Sequence, residues 1–170
     1  MKGNFLSALN MVLQSEGGFV INPHDPGGAT NKGITQAVYD DWRKSQELPA
    51  QSVKNASPLE TSLIYSKLYW LPIHGDDLPS GVDYATFDMA VNSGVNRASR
   101  FLQRAVGVTE DGVIGPATIA ACKAVPPKNI INSLCAERAA FLKACLGFPT
   151  FGRGWLARVA SVQLAAERMA

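Results

Sequence analysis

The stretch that decides the fold is SEGGFV at residues 15–20, followed by NPHDPGGATNKGIT at residues 22–35. Residues 4–15 carry apolar side chains at helical spacing, and the two glycines after Glu16 are typical of a helix end. The Pro, Gly, Asn and Asp residues that follow are turn formers packed close together. We therefore predict a helix that ends near Glu16 and, near residues 19–35, either a small β-hairpin or an irregular loop.

The rest of the sequence favours helices. SPLE at residues 57–60 has the pattern of a capping box with proline at the first helical position, and Pro127 opens a long segment with one apolar face. A break is predicted at residues 147–154, so that the last helix starts near Trp155. No alternating apolar pattern is longer than a hairpin, and the predicted fold class is mainly α.

The charge of the chain is small but uneven. The net charge of +2 is too weak to indicate a polyanionic partner, and we expect no nucleic-acid partner. Residues 1–85 carry six Lys/Arg against nine Asp/Glu, a net of −3, whereas residues 86–170 carry ten against five, a net of +5. This is either an ordinary solvated surface or a weak attraction of the second half to an anionic polymer such as the cell wall.

Several classes of protein are not indicated. The first segment is amphipathic rather than a continuous apolar signal sequence, and no stretch approaches the length of a membrane span. We expect synthesis in the cytoplasm, where the protein stays until it is released, and no stable membrane insertion. The three cysteines form no CxxC motif and the two histidines are isolated, so neither a metal site nor another cofactor is predicted.

Glu16 is the candidate catalytic residue. A carboxyl group at the end of a rigid helix, with two glycines clearing bulk beside it, has the fixed position and open approach that a general acid requires. Asp25 and Thr30 could face Glu16 across a cleft if the intervening chain folds back, and glycoside hydrolysis commonly uses two carboxyl groups. Taken singly, the three residues have ordinary alternatives: a solvated glutamate, a turn aspartate and a turn hydroxyl.

The same residues resemble a known family. SEGGFV and the NP and DPGGATNKGIT segments after it resemble the opening signature of glycoside hydrolase family 108, which comprises phage-type endolysins and secretion activator proteins. FDMAVNSG at residues 87–94 and DGVIGPAT at residues 111–118 resemble the C-terminal segment of that family, a predicted peptidoglycan-binding region. The resemblance implies an N-acetylmuramidase with Glu16 as its acid. The second segment could equally be a structural brace between helices.

A further resemblance concerns the partners of Glu16. The order Glu16, Asp25, Thr30 is similar to that of phage T4-type lysozymes, although five residues usually separate the last two there and four do here. Asn92 resembles an asparagine near the cleft of those enzymes, and its alternative is a helix C-cap. Tyr69, Trp70 and Trp155 are candidates for stacking on sugar rings, and their alternative is packing in the core.

Together these observations predict a mainly α, lysozyme-like monomer with a small β-hairpin or irregular loop near residues 19–35. Residues 1–85 are predicted to form a catalytic lobe, and residues 86–170 a helical lobe that resembles a peptidoglycan-binding region. The predicted substrate is the glycan strand of peptidoglycan, cleaved between N-acetylmuramic acid and N-acetylglucosamine. A lytic transglycosylase and a non-catalytic wall-binding secretion accessory remain alternatives.

Overall fold

The computed structural model describes residues 3–21 and 28–170. Within that part of the chain the fold is mainly α, as predicted. The helices are α1 (Phe5–Gln14), α2 (Gln36–Ser45), α3 (Pro58–Tyr65), α4 (Val82–Ser93), α5 (Val95–Ala105), α6 (Pro116–Ala124), α7 (Pro127–Lys143) and α8 (Phe148–Met169). Short helical turns also occur at Val53–Asn55, Ser66–Trp70 and Gly75–Asp77.

The region near residues 19–35 contains a small antiparallel sheet. Its strands are β1 (Val20–Ile21), β2 (Ala29–Asn31) and β3 (Ile34–Thr35), in the order β1-β2-β3. Thr30 pairs with Val20 on one side and with Thr35 on the other. Thr35 then caps α2 by accepting a hydrogen bond from the backbone N–H of Val38. The prediction of a small β element is therefore confirmed.

The chain divides into two compact units. The sheet unit comprises Leu9–Leu68, and the helical unit comprises Tyr69–Ala170 together with the residues up to Ala8. The sequence-based boundary between residues 85 and 86 lies inside α4, all of whose residues from Val82 to Ala90 are buried. The assignment of a catalytic lobe to residues 1–85 stays a prediction.

The core of the helical unit forms around α4. This helix packs against α5, α7 and α8, which explains why it is buried on every side. Asp88, one of its two buried carboxylates, accepts hydrogen bonds from Arg138 at 2.6 Å and from Arg158 at 2.8 Å. The two guanidinium groups compensate the charge of Asp88, which would otherwise be costly to bury.

The last helix begins earlier than the sequence predicted. α8 starts at Phe148, with Pro149 in its first turn, and not near Trp155. Gly152 falls in the helix break predicted at residues 147–154. In the structure it lies under the ring of Phe148, where a Cβ would stand only 2.5 Å from ring carbons. The glycine therefore permits close packing inside a helix. In the described part of the chain, no helix has the length and apolar character needed to cross a membrane.

Candidate active site

Glu16 lies two residues after Gln14, the last residue of α1. The backbone N–H groups of Ser15 and Glu16 donate to the carbonyls of Val12 and Leu13 at 2.9 and 3.3 Å, so the chain keeps turning after the helix ends at Gln14. The Glu16 side chain is half-buried. The end of a packed helix thus gives this carboxylate a defined position, as the sequence predicted.

The turn between β2 and β3 forms a wall beside Glu16. Asn31 pairs with Ile34, so Lys32 and Gly33 are the two turn residues, with φ of 49° and 74°. Positive φ at both positions is typical of a type I′ hairpin turn. A Cβ on Gly33 would stand 3.1 Å from Oε2 of Glu16. Because glycine has no Cβ, the carboxylate can lie directly against the turn.

Tyr65 supports the same turn from α3. Its side chain is 1% exposed, and its hydroxyl donates a 2.8 Å hydrogen bond to the carbonyl oxygen of Lys32. The absent Cβ of Gly33 would stand 2.8 Å from this hydroxyl oxygen. The Tyr65 hydroxyl and the Glu16 carboxylate therefore share the space beside one glycine. Sequence reasoning missed Tyr65, because nothing in the sequence distinguishes it from an ordinary core tyrosine.

The sheet is anchored to the rest of its unit by amide side chains. Asn31 is buried, and its Nδ2 donates to the carbonyl oxygen of Val53 at 3.0 Å. Gln36 accepts a 2.7 Å hydrogen bond from the N–H of Val53 and donates to the carbonyl oxygen of Gln51 at 2.8 Å. These contacts hold β2 and the start of α2 against the Val53–Asn55 turn, and so fix the wall beside Glu16.

The predicted partners of Glu16 are only partly located. Thr30 lies at the centre of β2 and is half-buried, on the same small sheet as the Gly33 turn. Asp25 lies outside the described residues. The roles of Asp25 and Thr30 therefore stay predictions.

Asn92 lies in the last turn of α4, in the helical unit. Its side-chain oxygen accepts hydrogen bonds from Arg138 at 3.2 Å and from the Ser93 hydroxyl at 3.3 Å. The cap of α4 is Gly94, with φ of 89°, and not Asn92. Asn92 is exposed. A substrate contact stays a prediction.

Trp70 is a core residue. It is 2% exposed, and its ring centroid lies 5.3 Å from that of Phe5 and 5.4 Å from that of Phe87. Gly75 packs against the same ring, where a Cβ would overlap it. This burial disagrees with the predicted role in stacking on a sugar, because an aromatic ring must be exposed to do so. Tyr69 beside it is half-buried, and its role stays a prediction.

Trp155 is more accessible than Trp70, the other tryptophan predicted to stack on a sugar. It is half-buried and stacks on Phe151, with ring centroids 5.9 Å apart and an interplanar angle of 29°. Phe151 itself is 58% exposed. The pair presents an aromatic surface on α8 of the kind that stacks on sugars, although its role also stays a prediction.

Other reactive chemistries find little support in the described residues. No group of three or more His, Cys, Asp or Glu side chains there could hold a metal ion. Burial raises the pKa of the Cys122 and Cys135 thiols to about 11, so neither is a thiolate nucleophile near neutral pH. The half-buried carboxylate of Glu16 remains the candidate catalytic group.

Comparisons with known proteins place the chain among peptidoglycan-related proteins. A family model described as Glycosyl hydrolase 108 matches residues 9–94, and one described as Predicted Peptidoglycan domain matches residues 97–160. The chain is also similar to a solved structure titled "Structure of Brucella abortus SagA", at 45% identity over 99% of this chain and 97% of that one, with a TM-score of 0.85. No curated protein matches significantly. Together the matches support a function related to peptidoglycan.

Proposed function

The chain belongs to the glycosyl hydrolase 108 family, and we propose that it is an N-acetylmuramidase that cleaves the glycan strands of peptidoglycan. The observation that carries the proposal is the position of Glu16, held at the end of α1 and against the Gly33 turn. The bond cleaved is the β-1,4 link between N-acetylmuramic acid and N-acetylglucosamine. The matches to the Glycosyl hydrolase 108 model and to the Predicted Peptidoglycan domain support this choice of substrate.

Glu16 acts as the general acid in this proposal. Its protonated carboxyl group donates a proton to the glycosidic oxygen while the bond from that oxygen to the anomeric carbon breaks. Gly17 and Gly18 are exposed, and a Cβ at either position would meet no atom within 4 Å. The chain beside the acid therefore leaves an open approach, which a long polymer substrate requires. The wall formed by Gly33 and Tyr65 keeps the carboxyl group in place during proton transfer.

The second half of the reaction needs a water molecule and a group that activates it. We assign this role to Asp25, assisted by the hydroxyl of Thr30. A carboxylate there would accept the proton of the attacking water or stabilise the oxocarbenium-like transition state. In the same proposal, the protein acts on the wall in the periplasm or outside the cell, after release from the cytoplasm where it is made.

The decisive experiment compares wild type with Glu16→Gln on purified cell walls. We expect the variant to fold normally and to lose release of reducing ends by at least about a hundredfold, in line with the loss of a general acid. Glu47→Gln is the control, because Glu47 is an exposed glutamate in the same unit and the substitution removes the same charge. Wild-type activity in Glu16→Gln would refute the assignment of Glu16.

Mass spectrometry of the released muropeptides identifies the reaction. A reducing muramic acid end supports hydrolysis, whereas a product lighter by one water molecule indicates a transglycosylase. If wild type binds walls but releases neither product, the protein is a non-catalytic wall-binding module and the proposed activity is wrong.

A further inference from the structure

A cavity with three arginines lies in the helical unit, outside the Glu16 site. Its volume is about 440 Å³, and it lies between α5, the end of α4 and the ring of Phe141 on α7. Arg97, Arg100 and Arg104 line it together with Phe101, and no carboxylate is among the described residues of its lining. We call it the arginine pocket.

The sequence of α5 produces this surface. Arg97, Arg100 and Arg104 are three and four residues apart, a spacing that places all of them on one face of a helix. All three side chains are exposed. Leu102 and Gln103, on the other face of the helix, are buried in the unit. The positive face is therefore a consequence of helical spacing, and it does not depend on a flexible loop.

Aromatic rings hold two of the guanidinium groups. That of Arg97 lies over the ring of Phe141, 4.4 Å from its centroid, and that of Arg104 lies 5.3 Å from the centroid of Phe101. The two rings pack edge to face with centroids 5.9 Å apart. Cation–π contacts of this kind position a charge without neutralising it.

The three arginines differ in their remaining charge partners. Arg104 is neutralised, because it forms hydrogen bonds to both carboxylate oxygens of Glu110 and to Glu137. Arg100 donates only to uncharged oxygens, the side chain of Asn96 and the carbonyl of Glu110. The contacts of Arg97 are the carbonyl of Ser93 and the Phe141 ring.

The positive charge of the pocket is only partly compensated, because Glu110 and Asp111 interact with Arg100 through space without forming a salt bridge to it. In the described part of the chain, neither Arg97 nor Arg100 has a carboxylate within salt-bridge distance. Each guanidinium group has further N–H donors that these contacts do not use. The Arg97 group over the Phe141 ring and the neighbouring Arg100 group are suited to a carboxylate, which arginine binds through paired N–H donors.

We propose that the arginine pocket binds a free carboxylate of the peptide stems of peptidoglycan, and that it anchors the wall apart from the glycan site at Glu16. The inference rests on the proposed function for its choice of polymer. Stems carry carboxylates, whereas the glycan chain alone offers few. The three arginines of the pocket also lie within the segment that matches the Predicted Peptidoglycan domain, and in the half of the chain with a net charge of +5.

The test measures binding without catalysis. In the Glu16→Gln background, the double variant Arg97→Gln/Arg100→Gln is sedimented with purified cell walls. The control is Arg153→Gln/Arg168→Gln, which removes two exposed charges from α8 of the same unit. We expect the pocket variant to bind about fivefold more weakly, a size typical of two exposed charged contacts, and the control to bind as the parent does.

Two further substrates identify the anion. On walls whose stem carboxylates have been converted to neutral amides by carbodiimide coupling, we expect the pocket variant and its parent to bind equally. A soluble stem tetrapeptide should displace the parent from walls and leave the pocket variant unaffected. On walls stripped of phosphate-containing polymers, the difference between variant and parent should persist.

Several results would overturn the inference. An equal loss in the control variant would indicate a general charge effect, and a loss that persists on the amidated walls would exclude the stem carboxylate. If the difference disappears with the phosphate polymers, the ligand is a phosphate. Thermal unfolding of each variant checks that the fold is intact. Because the assay detects binding alone, it stands even if Glu16 proves not to be catalytic.

Discussion

Gly33→Ala is the substitution that tests the geometry around Glu16 most directly. An added Cβ would stand 2.8 Å from the Tyr65 hydroxyl oxygen and 3.1 Å from Oε2 of Glu16, whereas ordinary contact begins at 3.4 Å. The hydroxyl must therefore retreat by about 0.6 Å and the carboxylate by about 0.3 Å. Alanine must also adopt φ near 74°, which is unfavourable for a residue with a Cβ.

The expected effects follow from these displacements. A misplacement of about 1 Å costs roughly a hundredfold in rate, so shifts of 0.3–0.6 Å should lower kcat/KM by about fourfold to fifteenfold. The left-handed conformation costs roughly 1–2 kcal/mol of stability. Weakening of the hydrogen bond from Tyr65 to Lys32 adds about 0.5–1.5 kcal/mol. Urea unfolding measures the stability, and release of reducing ends from purified walls measures the activity.

Gly107→Ala separates backbone strain from crowding. Gly107 has φ of 73°, nearly the same as Gly33, but a Cβ there would meet no atom within 4 Å. We expect this control to lose roughly 1–2 kcal/mol of stability, from backbone strain alone, and to keep full activity. If Gly33→Ala retains wild-type kcat/KM, or if both variants lose activity equally, then the contact between the turn and Glu16 does not matter for the reaction and the reasoning fails.

Two further predictions concern stability. The pKa of Glu60 is lowered, because hydrogen bonds from Ser57 and the charge of Arg43 outweigh the effect of burial, which acts in the opposite direction. The stability that Glu60 contributes is therefore present above its ordinary pKa of 4.5 and is lost as the pH falls through the lower pKa of the folded state. Below pH 4.5, the free energy of unfolding of Glu60→Gln, measured in urea, should depend less on pH than that of wild type. An equal dependence on pH in the two proteins would contradict this. Gly152→Ala should lower the stability by about 1–3 kcal/mol, because its Cβ would overlap the Phe148 ring. Gly154→Ala on the same helix meets no atom within 4 Å and should raise the stability by up to about 1 kcal/mol. The melting temperatures of the two variants should therefore shift in opposite directions, and equal shifts would show that packing under Phe148 is not the reason for the glycine.

The sequence predicted the parts of the site that depend on neighbouring residues. The end of α1 near Glu16 follows from two glycines in a row, and the hairpin follows from clustered turn formers, so both could be read from short stretches. Tyr65 could not be predicted as a support of the turn, because its contact with Lys32 joins residues 33 positions apart. Such a contact exists only once the tertiary fold brings α3 to the sheet.

The wrong predictions have the same origin. Gly152 has the local properties of a helix breaker, but the ring of Phe148 gives it a packing role inside α8. Trp70 precedes a loop rich in Pro, Gly and Asp, which suggested exposure, yet Phe5 and Phe87 enclose it. In both cases a contact within the folded unit decides what the local sequence leaves open.

The hydrogen bond from Tyr65 to Lys32 has a consequence for when the protein can act. The wall beside Glu16 is assembled from α1, the sheet turn and α3, so it forms only after the chain between residues 16 and 65 has closed on itself. A nascent or locally unfolded chain has the glutamate but no surface to hold it. In the proposed reaction, activity would therefore report completed folding of the sheet unit, and a chain that is still unfolded would not cleave glycan strands.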